Sequence, residues 1–375
     1  MFVYVDEAFV RALQRDVQGG ERPDLSALLR SEAEQWVEAG PWRITDYPSP
    51  AASGNPHDYF SEGPYWWPNP EDPAGSYVRR DGEVNPAHFT AHRRVLESVA
   101  KACQALAFAA FYLGEAHYAR RAAEVLRVWF LDPTSRMNPH LEYGQAIRGI
   151  CEGRGIGIID TNCLVGLVHS LGFLAATGEW PKNEQEGVCD WFASYLKWLT
   201  QSSKGLDEMR QKNNHGTYWA VQVATFASLL GDEPTVDSMI ERYQQVLVPQ
   251  QITPEGALPL EEARTRSFSY TLMNANGLGL LCELTHYRGV DLWRYETQDG
   301  RGMPRLVAYL EPYLRDPSRW QKQQITPVAL QPQLFMQWAA LRLDRPEYEE
   351  TNRRLGSSGR SIIGPLELLP KSLPR

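Results

Sequence analysis

Apolar residues recur at helical spacing along most of the chain. In HRRVLESVAKACQALAFAAFYLG (residues 92–114), Val95, Val99 and Leu106 would lie on one face of a helix. A Gly-Glu turn separates this segment from a second helical one, EAHYARRAAEVLRVWFLD (115–132), which ends before a proline. The pattern therefore predicts a helical hairpin.

The same order of long helix, acidic turn and second helix returns further along the chain. The predicted pairs cover residues 160–180 with 183–201, 215–232 with 233–248, and 271–287 with 302–314, and a last helix is predicted near 332–343. Recurring hairpins are typical of an open solenoid or of a closed α/α toroid.

Two long loops, residues 41–90 and 132–158, favour the toroid, because long structured loops on a helical scaffold usually carry function. We therefore predict an all-α fold, an incomplete (α/α) toroid of helical hairpins with long functional loops. No low-complexity linker divides the sequence, so we predict one domain over residues 1–375, with a helical lead-in over about 1–40.

Composition and charge narrow the classes of partner. The chain has 375 residues, with 38 Lys+Arg against 46 Asp+Glu and a net charge of -8, so no bulk positive field is available for nucleic acid or anionic lipid. No apolar run reaches the roughly 18 residues of a membrane span. We predict neither nucleic acid nor membrane as a partner. The 12 Trp and 17 Tyr exceed what packing usually needs, and aromatic faces stack on sugar rings.

The cysteines and the N-terminus bear on disulfides, zinc sites and the cellular compartment. The five cysteines are scattered and form no CxxC, which predicts neither a disulfide framework nor a zinc knuckle. The start, MFVYVDEAFV, lacks a basic region followed by a long apolar stretch. The compartment stays open: secreted or periplasmic if an export signal has been removed, and otherwise cytoplasmic.

The first long loop contains HDYFSEGPYWWPNPEDPAGSYVRRDGEVNP (57–86), where polar and aromatic residues alternate without a regular period. Tyr65, Trp66 and Trp67 are candidates for lining a sugar-binding cleft. Tyr59 is a further aromatic candidate, and Ser61 and Asn85 could supply hydrogen bonds. The alternative is that the Trp pair plugs the base of the toroid.

The second long loop contains MNPHLEYGQAIRGICEGRGIGIIDTN (137–162). Its GRGIG matches neither a Walker motif nor a dinucleotide fingerprint, so we predict no nucleotide site. The glycines let the loop turn into the following helix, with Gln145, Arg154 and Asn162 facing a cleft as substrate-binding residues. A purely structural hydrogen-bonding role is the alternative for each.

A third motif is KNNHGTYWAVQ (212–222), where Asn213 or Asn214 can cap the helix that continues from His215. Capping explains one asparagine but not a histidine beside two amides. A helix N-terminus favours a bound anion and keeps a histidine neutral, which is the state that a general base requires. We predict a functional role for His215.

A fourth motif is LPLEEARTRSFSYTLMNANGL (258–278), where Arg264 and Arg266 precede Tyr270. If the helix begins near Ser267, the arginines lie just before it and can point where the tyrosine points. Arginine fork geometry suits a carboxylate, and nearby positive charge lowers the pKa of a tyrosine. The alternative is a surface ion-pair patch formed with the neighbouring glutamates.

Other chemistries find less support. His88 and His92 have i, i+4 spacing but no HExxH motif and no third ligand nearby, so we predict no metal. No GxSxG elbow occurs. A glycoside hydrolase would need a carboxylate pair, and the candidates form no evident pair. These candidates are Asp58, Glu62, Asp160 and Glu262.

Taken in order, HDYFSEGPYWWPNP with RRDGEVNP, MNPHLEYGQAIRG with GRGIGIIDT, NNHGTYWA and EARTRSFSY resemble the alginate lyase superfamily of polysaccharide lyases, which has an α/α toroid. The resemblance covers roughly residues 45–285. The chain looks closer to the branch of broad alginate and glucuronan lyases than to the periplasmic mannuronate lyases. Those enzymes commonly have a Tyr-His step, whereas here Thr271 follows Tyr270.

The resemblance implies β-elimination at C5 of a 4-linked uronate. Asn214 and Arg264 match the family positions that neutralise the substrate carboxylate, and His215 and Tyr270 match the proton-transferring positions. It also implies that Tyr270 performs both transfers on a mannuronate-type epimer, and that His215 is the base for a guluronate-type epimer. Arg266 joins the substrate-binding residues.

Neither step needs a metal or cofactor. We expect a lyase acting on an acidic polysaccharide, alginate and most of all mannuronate-rich alginate. A glucuronan lyase with the same mechanism and a non-catalytic protein that binds acidic polysaccharide are the alternatives.

Overall fold

The computed structural model describes residues 2–72, 74–328, 330–356 and 359–371, and most of them lie in helices. The chain divides into two compact units. Unit 1 comprises Met1–Glu208 with Thr225–Gly231, and unit 2 comprises Met209–Ala224 with Asp232–Arg375.

Unit 1 is built around one long helix, α3. Its sequence is rich in alanine, which favours helix, and its second half is almost entirely buried. Gly114 ends α3 in the left-handed conformation, with φ 75°, which glycine adopts without steric cost. Helices α1, α2, α4 and α5 all pack against α3. The helices of this part of the chain are α1 Glu7–Gln18, α2 Pro23–Val37, α3 Ala91–Leu113, α4 Ala116–Leu126, α5 Cys163–Ala176, α6 Lys182–Gln201 and α7 Ser203–Met209.

Short strands in unit 1 connect the two long loops. Strand β1, Phe60–Glu62, pairs in parallel with β4, Tyr143–Ala146. Strand β2, Trp66–Trp67, pairs antiparallel with β3, Val78–Arg79. The β1–β4 pair joins the segment that carries the predicted aromatic residues to the segment that carries Gln145.

Unit 2 has α12 at its centre, which packs against α11 and α14, while α13 packs against α14 and α15. Residues 214–224 of α8 belong to this unit. The helices of this part of the chain are α8 Asn214–Leu230, α9 Glu233–Arg242, α10 Val248–Gln251, α11 Pro259–Glu262, α12 Ser267–His286, α13 Met303–Arg315, α14 Leu334–Arg342 and α15 Pro346–Arg354, and the short strands among its described residues are β5 Arg360–Ser361 and β6 Gly364–Pro365.

Each predicted helix has a counterpart within a few residues. Two of them change pitch near their ends: α4 gives way to a wider π-helical turn at Arg127–Leu131, and α9 does so at Tyr243–Leu247. Helix α12 begins at Ser267, four residues before the predicted segment 271–287 and at the start that was considered for the fourth motif. Helices α7, α10, α11 and α15 and the short strands were not predicted.

Among the described residues, two helical stretches are long and apolar enough, by length and composition alone, to cross a membrane: Ala91–Leu113 and Gly155–Ala176. The sequence-based statement that no run is long enough is therefore wrong for these two. Their most apolar windows are 83% and 72% buried inside the protein, as in core helices. The absence of a membrane partner stays a prediction.

Candidate active site

The third motif forms the start of α8. The side-chain oxygen of Asn213 accepts the backbone N–H of His215 at 3.3 Å, so Asn213 is the capping residue and Asn214 is the first residue of the helix. Asn214 is buried, with 1% of its surface exposed, whereas His215 is half-buried. Capping thus accounts for one asparagine and leaves the other beside the histidine.

The partner of Asn214 is Glu261, a residue that sequence reasoning had placed only in a possible ion-pair patch. The Nδ2 of Asn214 donates to Oε1 and Oε2 of Glu261 at 3.0 and 2.9 Å, and its backbone N–H donates to Oε1 at 2.5 Å. Asn274 on α12 donates to the same Oε1 at 3.2 Å. The carboxylate of Glu261 therefore joins the start of α8 to α12.

Electrostatics tie further predicted residues to Glu261. Burial raises the pKa of the Glu261 carboxyl above its ordinary value, while hydrogen bonds from Asn214 and the charges of Arg264 and His215 act in the lowering direction. Arg264 and His215 are thus both within electrostatic range of this carboxylate.

The fourth motif brings Arg264 onto Tyr270. The guanidinium carbon of Arg264 lies 4.0 Å from the centre of the Tyr270 ring, and both side chains are half-buried. A cation over an aromatic face is attracted by the π electrons and also stabilises negative charge that develops on the phenol oxygen. Arg266, also half-buried, lies at the end of the same short segment, one residue before α12.

The segment before α12 is held by a distant part of the chain. The backbone N–H of Ser267 donates to the carbonyl of Gln323 at 3.1 Å, and Ile325 donates to the carbonyl of Thr265 at 2.9 Å. The side-chain oxygen of Gln324 accepts the N–H groups of Phe268 and Ser269 at 3.0 and 3.4 Å. Gln324 therefore caps the helix that carries Tyr270. Sequence reasoning missed it, because no local signal links residue 324 to 268.

In unit 1, Gln145 and Arg154 form one structure. The Nε of Arg154 donates to the Gln145 carbonyl at 3.0 Å, and its Nη2 donates to the Gln145 side-chain oxygen at 2.8 Å. Burial lowers the pKa of the Arg154 guanidinium. The Trp66 ring lies 6.0 Å from this guanidinium, and a side chain at Gly63 would collide with both groups.

Gln145 is itself held at several points. It is a non-glycine residue with φ 48°, in the left-handed region, and its N–H donates to Ser61 at 2.8 Å. Its side-chain nitrogen donates to Asp160 at 3.0 Å. Both ends of its amide therefore have internal partners, which indicates a supporting role for Gln145.

The two long loops also supply residues that are structural. Tyr59 is completely buried and donates to Asp160 at 3.2 Å, and Ser61 donates to the same carboxylate at 2.6 Å. Asn85 donates to the carbonyl of Trp66 at 2.9 Å. The suggestion that these three residues face a sugar is therefore wrong, since each is buried and bonded within the protein.

The remaining predicted aromatic residues are only partly covered. Tyr65, Trp66 and Trp67 are half-buried, and the tryptophans form β2. The indole N–H of Trp67 donates to the carbonyl of Glu83 at 3.0 Å. Asn162 is half-buried directly before α5 and makes no side-chain capping bond there.

A sequence model of the family described as alginate lyase matches residues 43–320. The chain belongs to the alginate lyase family. It is a polysaccharide lyase, as the resemblance implied. A comparison with curated protein sequences finds no significant match.

The lyase is also similar to solved structures. It is 28% identical to an alginate lyase from Bacteroides ovatus, with 98% of each chain covered and a TM-score of 0.89. It is 16% identical to alginate lyase A1-III from Sphingomonas species A1, with 97% and 95% covered and a TM-score of 0.65. A histidine-to-alanine variant of A1-III complexed with a tetrasaccharide matches with 16% identity, 100% and 96% covered and a TM-score of 0.67. The predicted fold class, an all-α (α/α) toroid, is confirmed by this likeness.

The carboxylates considered for a glycoside hydrolase have separate partners in the lyase. Asp58 accepts from Asn138 at 2.7 Å and lies 3.1 Å from His140. Glu62 pairs with Arg148 at 2.6 Å. Asp160 accepts the side-chain N–H of Gln145 at 3.0 Å. Glu262 pairs with Lys322 at 2.9 Å.

The histidine pair considered for a metal is engaged elsewhere. His92 is buried, and its two ring nitrogens contact the N–H of Phe60 at 3.0 Å and the carbonyl of Tyr47 at 2.7 Å. His88 contacts the carbonyl of Asn85. Within the described ranges, no group of three or more His, Cys, Asp or Glu side chains could hold a metal ion.

Proposed function

We propose that this lyase cleaves 4-linked polyuronates by β-elimination, with mannuronate-rich alginate as its preferred substrate. The observation that carries the proposal is the linked set in unit 2. Glu261 bonds to Asn214 and is within electrostatic range of His215 and Arg264, and Arg264 stacks on Tyr270. This set contains an amide, a cation, an imidazole and a phenol, which are the groups that elimination requires.

The first requirement is to acidify the C5 proton. A uronate carboxylate opposes loss of this proton until its charge is neutralised, because the intermediate places further negative charge on the same group. Arg264 supplies a full positive charge, and Asn214 supplies an amide N–H. Both would bind the carboxylate more strongly as it becomes enolate-like, which lowers the barrier.

The second requirement is proton transfer. The base removes the C5 proton, the C4–O4 bond breaks, a double bond forms between C4 and C5, and O4 receives a proton. On a mannuronate-type epimer the proton and O4 lie on the same face, so Tyr270 performs both transfers. On a guluronate-type epimer His215 takes the proton from the opposite face, while Tyr270 still protonates O4.

Each unit, taken by itself, contains candidate substrate-binding residues. Arg266 lies close to Arg264 in sequence and suits a second carboxylate of the polymer. In unit 1, Arg154 presents a guanidinium held by Gln145 beside Trp66, which combines a charge for a uronate carboxylate with a flat face for a sugar ring.

The test is to incubate the protein separately with polymannuronate, polyguluronate and glucuronan and to follow the ultraviolet absorbance of the C4–C5 double bond. We expect unsaturated products, formed fastest from polymannuronate. Faster cleavage of glucuronan would keep the mechanism and reassign the substrate. New reducing ends without a rise in absorbance would contradict elimination.

A further inference from the structure

We propose that Glu261 is a positioning residue that aims one amide hydrogen of Asn214 at the substrate carboxylate. The inference rests on the role proposed above for Asn214. It concerns a residue that contacts Asn214, not the reacting atoms.

The argument begins with the amide of Asn214. Its nitrogen is almost equidistant from the two oxygens of Glu261, at 3.0 and 2.9 Å. The two oxygens of one carboxylate subtend a much smaller angle at that nitrogen than the two N–H bonds of an amide enclose. One hydrogen therefore points between both oxygens and is shared by them, and the other hydrogen points away from Glu261.

The backbone fixes the same arrangement. Oε1 of Glu261 also accepts the backbone N–H of Asn214, the first residue of α8, where the helix dipole favours a negative charge. Side chain and backbone of one residue thus bind one carboxylate. This bidentate hold prevents the amide from turning over and presenting its oxygen to an anionic substrate.

The carboxylate is held in turn. Asn274 donates to Oε1 of Glu261 at 3.2 Å and to the side-chain oxygen of Gln251 at 2.8 Å. Thr217 donates to that same Gln251 oxygen at 3.0 Å. Glu261 has 1% of its surface exposed, so its orientation is fixed by these buried bonds.

A carboxylate is specifically required at this position. Its oxygens accept N–H groups from Asn214 and Asn274 and donate none. A glutamine of the same shape would keep one acceptor and place an NH2 group against the donors of Asn214. The variant Glu261→Gln should therefore let the amide of Asn214 turn or shift while leaving the side-chain volume unchanged.

The test is a double-mutant cycle measured on polymannuronate. Glu261→Gln is made in the natural chain and in Asn214→Ala, and kcat and KM are determined separately. We expect Glu261→Gln to lower kcat by about 10²-fold, the order of loss that a misplaced catalytic group produces, with a smaller change in KM. In the Asn214→Ala background the same change should alter kcat by less than about twofold, because the group being positioned is absent.

Glu262→Gln is the matched control. It removes the adjacent negative charge on α11, whose partners are Lys322 and the hydroxyl of Tyr309 rather than Asn214, and kcat should stay near the natural value. Circular dichroism and thermal unfolding establish that each variant is folded. If Glu261→Gln does not fold, Glu261→Asp replaces it in the cycle, since it retains the charge but draws the oxygens away from the amide.

The possible outcomes separate the two proposals. If Asn214→Ala keeps its full kcat, the proposed role of Asn214 is wrong, and the inference about Glu261 is wrong with it. If Asn214→Ala loses activity but Glu261→Gln has no effect, or lowers kcat by the same factor in both backgrounds, only the positioning role of Glu261 is contradicted.

Discussion

At the scale of single residues, the two adjacent asparagines before and at the start of α8 have different partners: Asn213 caps the helix, and Asn214 bonds to Glu261. The NNHG motif predicted a capping asparagine beside a second asparagine, and the structure assigns the cap to Asn213. Glu261 could not be predicted as the partner of Asn214, because the two are 47 positions apart and neither segment has a local pattern that depends on the other. For Gln145 the sequence left open substrate binding or a structural hydrogen-bonding role, and the structure shows internal bonds to Asp160 and Arg154.

His215 gives the prediction at this scale. His215→Ala should lower kcat on polyguluronate by about 10²-fold to 10⁴-fold, because the base for the opposite face is removed. The loss on polymannuronate should be smaller, since there Tyr270 takes the proton. Initial rates on the two polymers, followed by ultraviolet absorbance, measure the ratio.

His117→Ala, which changes a histidine whose side chain is 48% exposed in unit 1, serves as the control and should leave both rates unchanged. Equal loss on the two polymers in His215→Ala would contradict the division of roles between His215 and Tyr270.

At the scale of elements, helical periodicity was sufficient to predict the long helices. It was insufficient to predict the short strands and the contacts between distant segments. Helix α12 begins at Ser267, four residues before the periodic segment that predicted it. The strands are only two to four residues long, too short for a period-two pattern to stand out, and the parallel β1–β4 pairing joins distant loops. The cap of α12 by Gln324 is likewise a long-range contact.

Gln324 gives the prediction at this scale. Gln324→Leu removes the acceptor for the N–H groups of Phe268 and Ser269 and should cost about 1 kcal/mol of unfolding free energy, the usual value of an N-terminal cap. It should also lower kcat, since this turn of α12 carries Tyr270. Denaturant unfolding and initial rates measure the two effects.

Gln331→Leu is the matched control, because this glutamine is exposed and caps no helix. A Gln324→Leu protein with natural stability and natural kcat would show that the Gln324 side chain does not stabilise the start of α12.

At the scale of the whole molecule, recurrence of helical hairpins predicted an open solenoid or a closed toroid, because such pairs must stack to bury their apolar faces, and the two long loops favoured the toroid. The prediction of a single domain remains a prediction. Which buried groups titrate could not be predicted, since His169 looks in sequence like any histidine within an apolar helix. In the structure it is buried among aromatic rings. The ring centres of Tyr4, Phe108 and Phe173 lie 5.2 to 5.9 Å from the centre of its imidazole.

Because His169 is buried, we predict that the protein loses stability in acid. Burial lowers its pKa from 6.5 to about 3, so between these values the unfolded chain binds a proton that the folded chain does not. The contribution of neutral His169 is complete above pH 6.5 and is lost as the pH falls, at about 1.4 kcal/mol per pH unit. The free energy of unfolding, measured in urea, should fall between pH 7 and pH 5. This fall should be roughly 2 kcal/mol smaller in His169→Leu than in the natural chain.

His117→Leu, at an exposed histidine, should leave the pH dependence of unfolding as it is in the natural chain. If His169→Leu also shows the natural pH dependence, the buried ring does not cause the acid sensitivity.

The central claim, that a phenol in unit 2 transfers the protons of β-elimination, is tested most directly by one measurement. The rate at which Tyr270→Phe forms unsaturated product from polymannuronate is compared with that of the natural protein at saturating substrate. We predict a fall of at least about 10²-fold to 10⁴-fold, and more if the one phenol serves both steps, in a protein that remains folded. A folded Tyr270→Phe variant with near-natural turnover would contradict the mechanism.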